Sequence, residues 1–390
     1  MMKVVVLLPR VPYPLDKGDK LRAYHQIKEL AKTHDLKVIA LDDLGVEQSV
    51  ITHLKNEFDF EVVKLSKIKI YFNLITALFS SKPYQVHYFY QRSAGKKIKS
   101  IIEAFQPEHI YCQLIRTSEY VKNIHNVPKT IDYMDALSKG MDRRAKDASF
   151  FSKPFVKAEA SRLLKYENLI FDYFENKTII SEQDRSLIYH SERNSIVVVP
   201  NGVDFEFFKP QQDAEKKYDL VFTGNMNYPP NVNGAVYLVN DILPLLVKKN
   251  PSFKLLIAGV NPAPAVTALA SENVEVSGWM DDIRDAYASA KVFIAPMRIG
   301  TGLQNKLLEA MAMNIPAVTT PLANDALKAT HEKNILVGNS ENDLANYILR
   351  LLEDENMANM MAEEAGNYVR SNFSWHSATE LLSNLINARK

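Results

Sequence analysis

One cysteine, Cys112, stands among 390 residues. A lone cysteine excludes an internal disulfide and a cysteine-based metal cluster, and it fits a reducing compartment. No apolar run approaches the ~18–20 residues that a membrane-spanning helix needs. The opening segment has only Val4 to Leu8 as its apolar part before a proline intervenes. That is too short for the hydrophobic region of a signal peptide, so it reads as a buried first strand in a cytoplasmic chain. Several signatures are missing as well. No Gly-x-Gly-x-x-Gly follows the first strand, which disfavours a nicotinamide dehydrogenase. There is no P-loop, no Gly-x-Ser-x-Gly elbow, no His-Glu-x-x-His pair and no Asp-x-Asp.

What remains is an ordinary globular composition, 46% hydrophobic and 24% charged. The length exceeds one ordinary core, so two domains are expected. Net charge is +1, yet residues 1–200 hold 31 Lys and Arg against 24 Asp and Glu, leaving the remainder acidic. A basic amino-terminal half suits an anionic partner such as a phospholipid surface or a pyrophosphate-bearing acceptor, unless it is chance surface variation. No basic run is interleaved with base-stacking aromatics, so nucleic acid is not expected.

Both halves alternate strand and helix, the pattern of doubly wound parallel sheets. In the first half, strands are predicted at 3–8, 36–41, 109–114, 129–131, 178–180 and 196–199, with a helix over 19–33. In the second, strands are predicted at 218–223, 253–258, 274–276, 292–295 and 317–319, with helices over 233–249, 283–290 and 303–313. The turn-forming Pro200-Asn-Gly-Val-Asp204 and the polar Lys209–Lys217 mark a junction. The predicted domains are 1–205, joined by 375–390, and 206–374. The segment 64–79 mixes Lys64, Lys67 and Lys69 with Ile70, Tyr71, Phe72, Leu74, Ile75, Leu78 and Phe79. It reads either as a helix lying in a membrane interface, giving peripheral contact, or as a buried helix with a lysine-rich lead-in.

The residues suited to chemistry lie where strands end, which is where such sheets bind ligands. After the first strand, Gly18 and Asp19 lead into a helix containing Arg22. Gly18 admits close backbone approach and the helix start offers N–H groups to anions, although Asp19 reads equally as an N-cap. The sharper signal is Pro296-Met-Arg-Ile-Gly-Thr-Gly-Leu-Gln-Asn-Lys-Leu-Leu-Glu309. A strand ends, Gly300 and Gly302 follow, and a helix begins, making an anion site of backbone amides and a helix dipole. Lys306 and Glu309 share a helix face and suit a diphosphate and a ribose diol, the alternative being a surface Lys–Glu pair.

Val199–Pro210, Leu220–Asn225, Lys254–Gly259, Val276–Ile283 and Leu307–Val318 together resemble the family 4 retaining glycosyltransferases, also called group 1, in the expected order. The first half is similar to the branch associated with bacterial exopolysaccharide and exosortase systems, through Gln113–Arg116, Asp132–Ser138 and Glu159–Glu167. The resemblance implies an α/β fold of GT-B type. Two Rossmann-like parallel-sheet domains would face a cleft, with a last helix crossing back to the first domain. It implies a metal-independent hexosyltransferase of cell-surface polysaccharide synthesis. The donor would be a UDP- or GDP-sugar and the acceptor a glycan or lipid-linked molecule. Donor contacts would come from Gly18, Gly224, Asn225, Gly278, Trp279, Met280, Gly302, Leu303, Gln304, Asn305 and Glu309. The catalytic candidates are Lys306, Arg298, Asp135 and Arg116. For the last two, a structural salt bridge with the Glu159–Glu167 helix is the competing account.

Two departures stand out. Thr301 occupies the position of the family's first glutamate, and Asn225, Met226, Asn227 and Asn231 stand where an Arg and a Lys are common. A growing leaving-group charge needs a cation, and Lys306, then Arg298, are the candidates. The alternatives are a nucleotide-sugar hydrolase or epimerase on the same fold, or a catalytically silent binding protein. Finally, Phe373-Ser-Trp-His-Ser377 introduces a helix with apolar positions Leu381, Leu382, Leu385 and Ile386. It either crosses to the first domain or completes the second.

Overall fold

The computed structural model describes residues 1–211, 213–300 and 302–388, and only the backbone of Asp147. The chain forms two compact units, Met1–Pro200 with Trp375–Lys390, and Asn201–Ser374.

The first unit holds a seven-stranded sheet of β1 (Lys3–Leu8), β2 (Asp35–Asp42), β3 (Phe60–Lys64), β4 (His109–Gln113), β5 (Lys129–Asp132), β6 (Asn176–Ile179) and β7 (Val197–Val198). Every pairing is parallel, and the order is β3-β2-β1-β4-β5-β6-β7. Such sheets are covered on both faces, so their strands are apolar throughout instead of alternating. β1 shows this well: Val5 and Leu7 enter one core cluster, and Val4, Val6 and Leu8 enter another across the sheet. The period of two alone separates the layers.

The last helix, Trp375–Asn387, belongs to this unit. Ala378, Leu382 and Ile386 join the cluster of Val4, Val6, Leu8 and Ile27. Trp375 stacks on His25 with ring centroids 4.9 Å apart and planes 9° from parallel. Asn176 Nδ2 donates to the Leu385 carbonyl at 3.0 Å. The buried face is therefore Trp375, Ala378, Leu382 and Ile386, while Leu381 is exposed. A helix turns 100° per residue, so Leu381 points away once Leu382 faces the core.

The second unit holds a six-stranded parallel sheet of β8 (Tyr218–Thr223), β9 (Leu255–Ala258), β10 (Val274–Gly278), β11 (Ala290–Ala295), β12 (Ala317–Thr319) and β13 (Leu336–Val337), in the order β10-β9-β8-β11-β12-β13. One continuous core cluster covers both faces. The long helix expected over 233–249 starts earlier, at Pro229, where prolines suit the first turn. It contains a π-turn at Leu238–Ile242 before continuing as Leu243–Lys249. Pro244 supplies the reason, since its ring displaces the carbonyl four residues back and an extra residue relieves the clash. The unit's two ends are tied together: the Val203 N–H donates to the Phe373 carbonyl at 2.9 Å.

Candidate functional site

The carboxyl ends of β10, β9, β8 and β11 lie side by side in the second unit. Gly224 follows β8 and Gly259 follows β9, with φ of +151° and +141°. A Cβ on Gly259 would stand 1.7 Å from the Gly224 carbonyl oxygen, and one on Gly224 would stand 2.6 Å from Asn231 Nδ2. Only glycine lets these two strand ends touch and leaves room for the side chains above them. The Gly224 N–H donates to the Ala258 carbonyl, and the Gly259 N–H to the Gly278 carbonyl, each at 3.0 Å. The three glycines form one floor.

After β11 the chain passes through Gly300 (φ +101°) and Gly302 (φ +83°) into the helix Asn305–Ala312. Thr301 lies outside the described residues. Among the described residues no side chain caps this helix at Gln304, and a helix start of this kind offers its first amides and dipole to an anion. In the helix's first turn, Lys306 Nζ donates to Asn231 Oδ1 at 2.5 Å. It also sits 4.6 Å from the centroid of the Phe222 ring. Asn231 Nδ2 in turn donates to the Asn225 carbonyl at 2.9 Å. Desolvation pushes the Lys306 ammonium down to about 7, against the pull of Glu309. A lysine in this state is a poorly solvated cation waiting for an anionic partner.

Glu309 occupies the same helix face. Tyr287 Oη donates to its Oε2 at 2.6 Å, and Tyr287 Oη is itself 2.8 Å from Thr223 Oγ1. With the phenol proton committed to the carboxylate, the threonine hydroxyl is the donor of that second bond. Desolvation raises the Glu309 carboxyl above its ordinary value, while Tyr287 and Lys306 act in the opposite sense. Tyr287 is fully buried and fixes one carboxylate oxygen, leaving the other for a diol.

Other expected residues are nearby in different roles. Asn305 Oδ1 accepts from Asn201 Nδ2 at 3.1 Å. Gln304 Nε2 donates to the Gly302 carbonyl at 3.3 Å, and Leu303 packs against the core. Trp279 is exposed with its Nε1 donating to Asp281 at 3.2 Å, and Met280 rests on the core. Asn225 Oδ1 accepts from the Asn227 N–H at 3.1 Å. Arg298 is exposed and turned to the helix Pro229–Tyr237, its guanidinium 4.1 Å from the Tyr237 ring and 3.4 Å from Asn233. Tyr287, Thr223 and the bond to Asn231 escaped the sequence reading. Asn231 appeared there only as a departure from the family pattern.

In the first unit, Gly18 opens the helix Gly18–Leu30 with no atom within 4 Å of where a Cβ would stand. Asp19 is no N-cap: it lies inside the helix and pairs with Arg10 at 2.7 Å. Arg22 is buried against Asp132 at 2.6 Å, and Tyr111 and Thr178 also donate to that carboxylate. It belongs to the core. Arg116 donates to Gln85 Oε1 at 2.9 and 2.6 Å and lies over Phe89. Glu159 accepts from the Tyr84 and Gln85 amides, and Glu167 from Ser138, so neither supplies the salt bridge weighed for Arg116. Desolvation, then Asp184, pushes the Asp135 carboxyl up to about 7 against Arg116 and Arg143, although the residue still reaches solvent. Among the described residues no cluster of three or more His, Cys, Asp or Glu is placed to hold a metal.

Residues 217–354 match the family model described as "Glycosyl transferases group 1". An uncharacterized 44.6 kDa protein in the cps region of Klebsiella pneumoniae is 23% identical, over 96% of this chain and 97% of that one. Among solved structures, the sucrose-phosphate synthase of Thermosynechococcus elongatus superposes with a TM-score of 0.71 at 15% identity, covering 98% of each chain. The Anabaena protein HepE, in complex with UDP and glucose, gives 0.69 at 14%, covering 99% of each. Residues 217–354 thus carry the match to the group 1 glycosyltransferases, within a chain that has the two-domain GT-B fold.

Proposed function

We propose that the chain is a retaining hexosyltransferase of family 4. It would move a sugar from a UDP- or GDP-sugar to a glycan or lipid-linked acceptor in cell-surface polysaccharide synthesis. The observation that carries this reading is the pair Lys306 and Glu309, one helix turn apart beside a glycine floor, each desolvated and each oriented by a second residue. Glu309 holds the ribose diol and Lys306 meets the diphosphate. As the bond to the sugar breaks, negative charge grows on the leaving phosphate, and a cation in a poorly solvated site gains most at that moment. The amides at the start of the helix Asn305–Ala312 add to it. The leaving phosphate assists the incoming hydroxyl, so the chemistry needs no separate base. Asp135 and Arg116 take the acceptor side, and the reaction runs at the cytoplasmic face. The Klebsiella relative in a cps region supports a surface polysaccharide, and the UDP and glucose on HepE support the donor.

The test is turnover of UDP- and GDP-hexoses with and without acceptor extracts. Release of nucleotide diphosphate that rises with acceptor, and a product keeping the donor's anomeric configuration, is the expected result. Acceptor-independent release would make it a hydrolase. Nucleotide binding without turnover would make it a silent binding protein.

A further inference from the structure

The helix Lys67–Ala77 carries two apolar stripes instead of one. Ile70 and Ala77 are buried and Leu74 packs beside them, at spacings of four and three residues. The opposite stripe, Ile68, Tyr71, Phe72 and Ile75, has the same helical spacing and is exposed, and it runs on into Leu78 and Phe79. A soluble surface helix has no use for the second stripe, which bears water-exposed aromatics on the outside of a helix already anchored within. Phe79 is 90% exposed.

A second apolar segment stands beside it. Phe150 and Phe151 are 86% and 85% exposed, and Phe155 is exposed at the start of the helix Lys153–Phe171. Arg162 lies on that helix seven residues after Phe155, hence on the same face. Its guanidinium donates to the Ala77 carbonyl at 2.8 Å and the Leu78 carbonyl at 3.4 Å. Arg162 thus clamps the end of the first segment onto the helix that begins with the second. Both segments belong to the first unit.

Charge identifies the occupant. Residues 64–82 contain four lysines and no acidic residue, and residues 139–157 contain six Lys and Arg against two Asp. Lys64, Lys67, Arg144, Lys146 and Lys157 are exposed. Exposed aromatics flanked in sequence by exposed cations suit a bilayer of anionic phospholipid, where rings enter the headgroup boundary and lysines reach lipid phosphates. No helix among the described residues is long and apolar enough to cross a membrane. We infer that this face seats the first unit on an anionic membrane surface, lying on it without spanning it. The inference does not depend on the transferase reading, because vesicle binding is measured without donor or acceptor.

The experiment is co-sedimentation of the full chain with vesicles of phosphatidylcholine alone and of phosphatidylcholine with phosphatidylglycerol. The wild type pellets with the mixed vesicles, and more weakly as salt rises. A variant with Phe79→Ser, Phe150→Ser and Phe151→Ser, all at exposed positions, loses about tenfold or more of this binding. A second variant with Lys64→Glu, Lys67→Glu, Lys153→Glu and Lys157→Glu keeps every aromatic and loses the preference for anionic lipid. Met360→Ser, an exposed apolar change in the second unit, leaves binding unchanged. Absence of wild-type binding overturns the inference, as does equal binding by the serine variant. Sedimentation velocity covers the remaining occupant: a wild-type dimer that the serine variant turns into a monomer assigns the face to a second copy instead.

Discussion

Lys306 Nζ donates to Asn231 Oδ1 at 2.5 Å, so the cation of the glycine loop is held by a neutral amide instead of a carboxylate. An amide orients the ammonium without neutralising it, and the positive charge remains to be satisfied by a ligand. The resemblance expects an Arg and a Lys near this asparagine, and in their absence Lys306 is the cation set among the glycines.

Proton uptake on nucleotide binding follows. With its ammonium pushed down to about 7, Lys306 is largely neutral at pH 8. A bound diphosphate favours the charged form and raises that value, so binding UDP at pH 8 should take up close to about one proton, and far less at pH 5.5. Calorimetry in two buffers of different ionisation enthalpy reads the number directly. Lys306→Met should abolish the uptake, and persistence of uptake in that variant would assign it to another group.

The same shift has a sign in stability. A lysine whose native value lies below its ordinary 10.5 binds fewer protons folded than unfolded between the two values. Stability contributed through Lys306 therefore rises with pH from about 7 to about 10, and the penalty is full below 7. Urea denaturation of Lys306→Met and wild type should show the variant gaining most at pH 6, with the gap closing as pH approaches 10.

Glu309 and Tyr287 should separate by magnitude. Glu309→Ala removes a charged hydrogen-bond acceptor and should weaken nucleotide affinity by ~1.5–3 kcal/mol. Tyr287→Phe removes only the bond that orients the carboxylate, so a smaller loss of ~0.5–1.5 kcal/mol is expected. Titration calorimetry on folded variants checks both, and a folded Glu309→Ala with wild-type affinity removes the ribose contact from the proposal.

The alternation of strands and helices was legible because buried parallel strands are short apolar runs closed by Gly, Pro or Asn. Two strands were not. β3 reads Phe-Glu-Val-Val-Lys, with only Phe60 and Val63 fully inward and charges at two positions, and β13 has only two residues. The shared helix face of Lys306 and Glu309 beside Gly300 and Gly302 was legible because glycines, a helix start and a three-residue spacing are all local. Tyr287 was not, since its partner Thr223 is 64 residues away and only the fold joins them. The burial of Arg22 was not legible for the same reason. Its local setting suits a ligand-facing helix, whereas Asp132, 110 residues on, claims it for the core.

Arg22 should accordingly matter to folding. Both partners of the Arg22–Asp132 pair are fully buried, and Asp132 also accepts from Tyr111 and Thr178. Arg22→Ala leaves that carboxylate unpaired in a low-dielectric interior, at a cost of ~3–5 kcal/mol. Chemical denaturation should show this loss. A variant with unchanged stability and lost turnover would place Arg22 in the chemistry instead.

Leu382 gives the last prediction. It is fully buried in the cluster of Val4, Val6 and Leu8, on a helix that follows the whole second unit in sequence. Truncating it to alanine leaves a cavity among strands β1 and β2, costing ~2–5 kcal/mol. The loss should fall on the first unit alone, because among the described residues the core cluster that holds Leu382 has no member in 201–374. Hydrogen exchange separates the units: amides of β1, β2 and β4 should lose protection in Leu382→Ala, while those of β8 and β9 keep theirs. Equal loss in both sheets would mean that the two units unfold as one cooperative body. Loss confined to β8 and β9 would mean that the last helix stabilises the second unit, against its packing on the helix Gly18–Leu30.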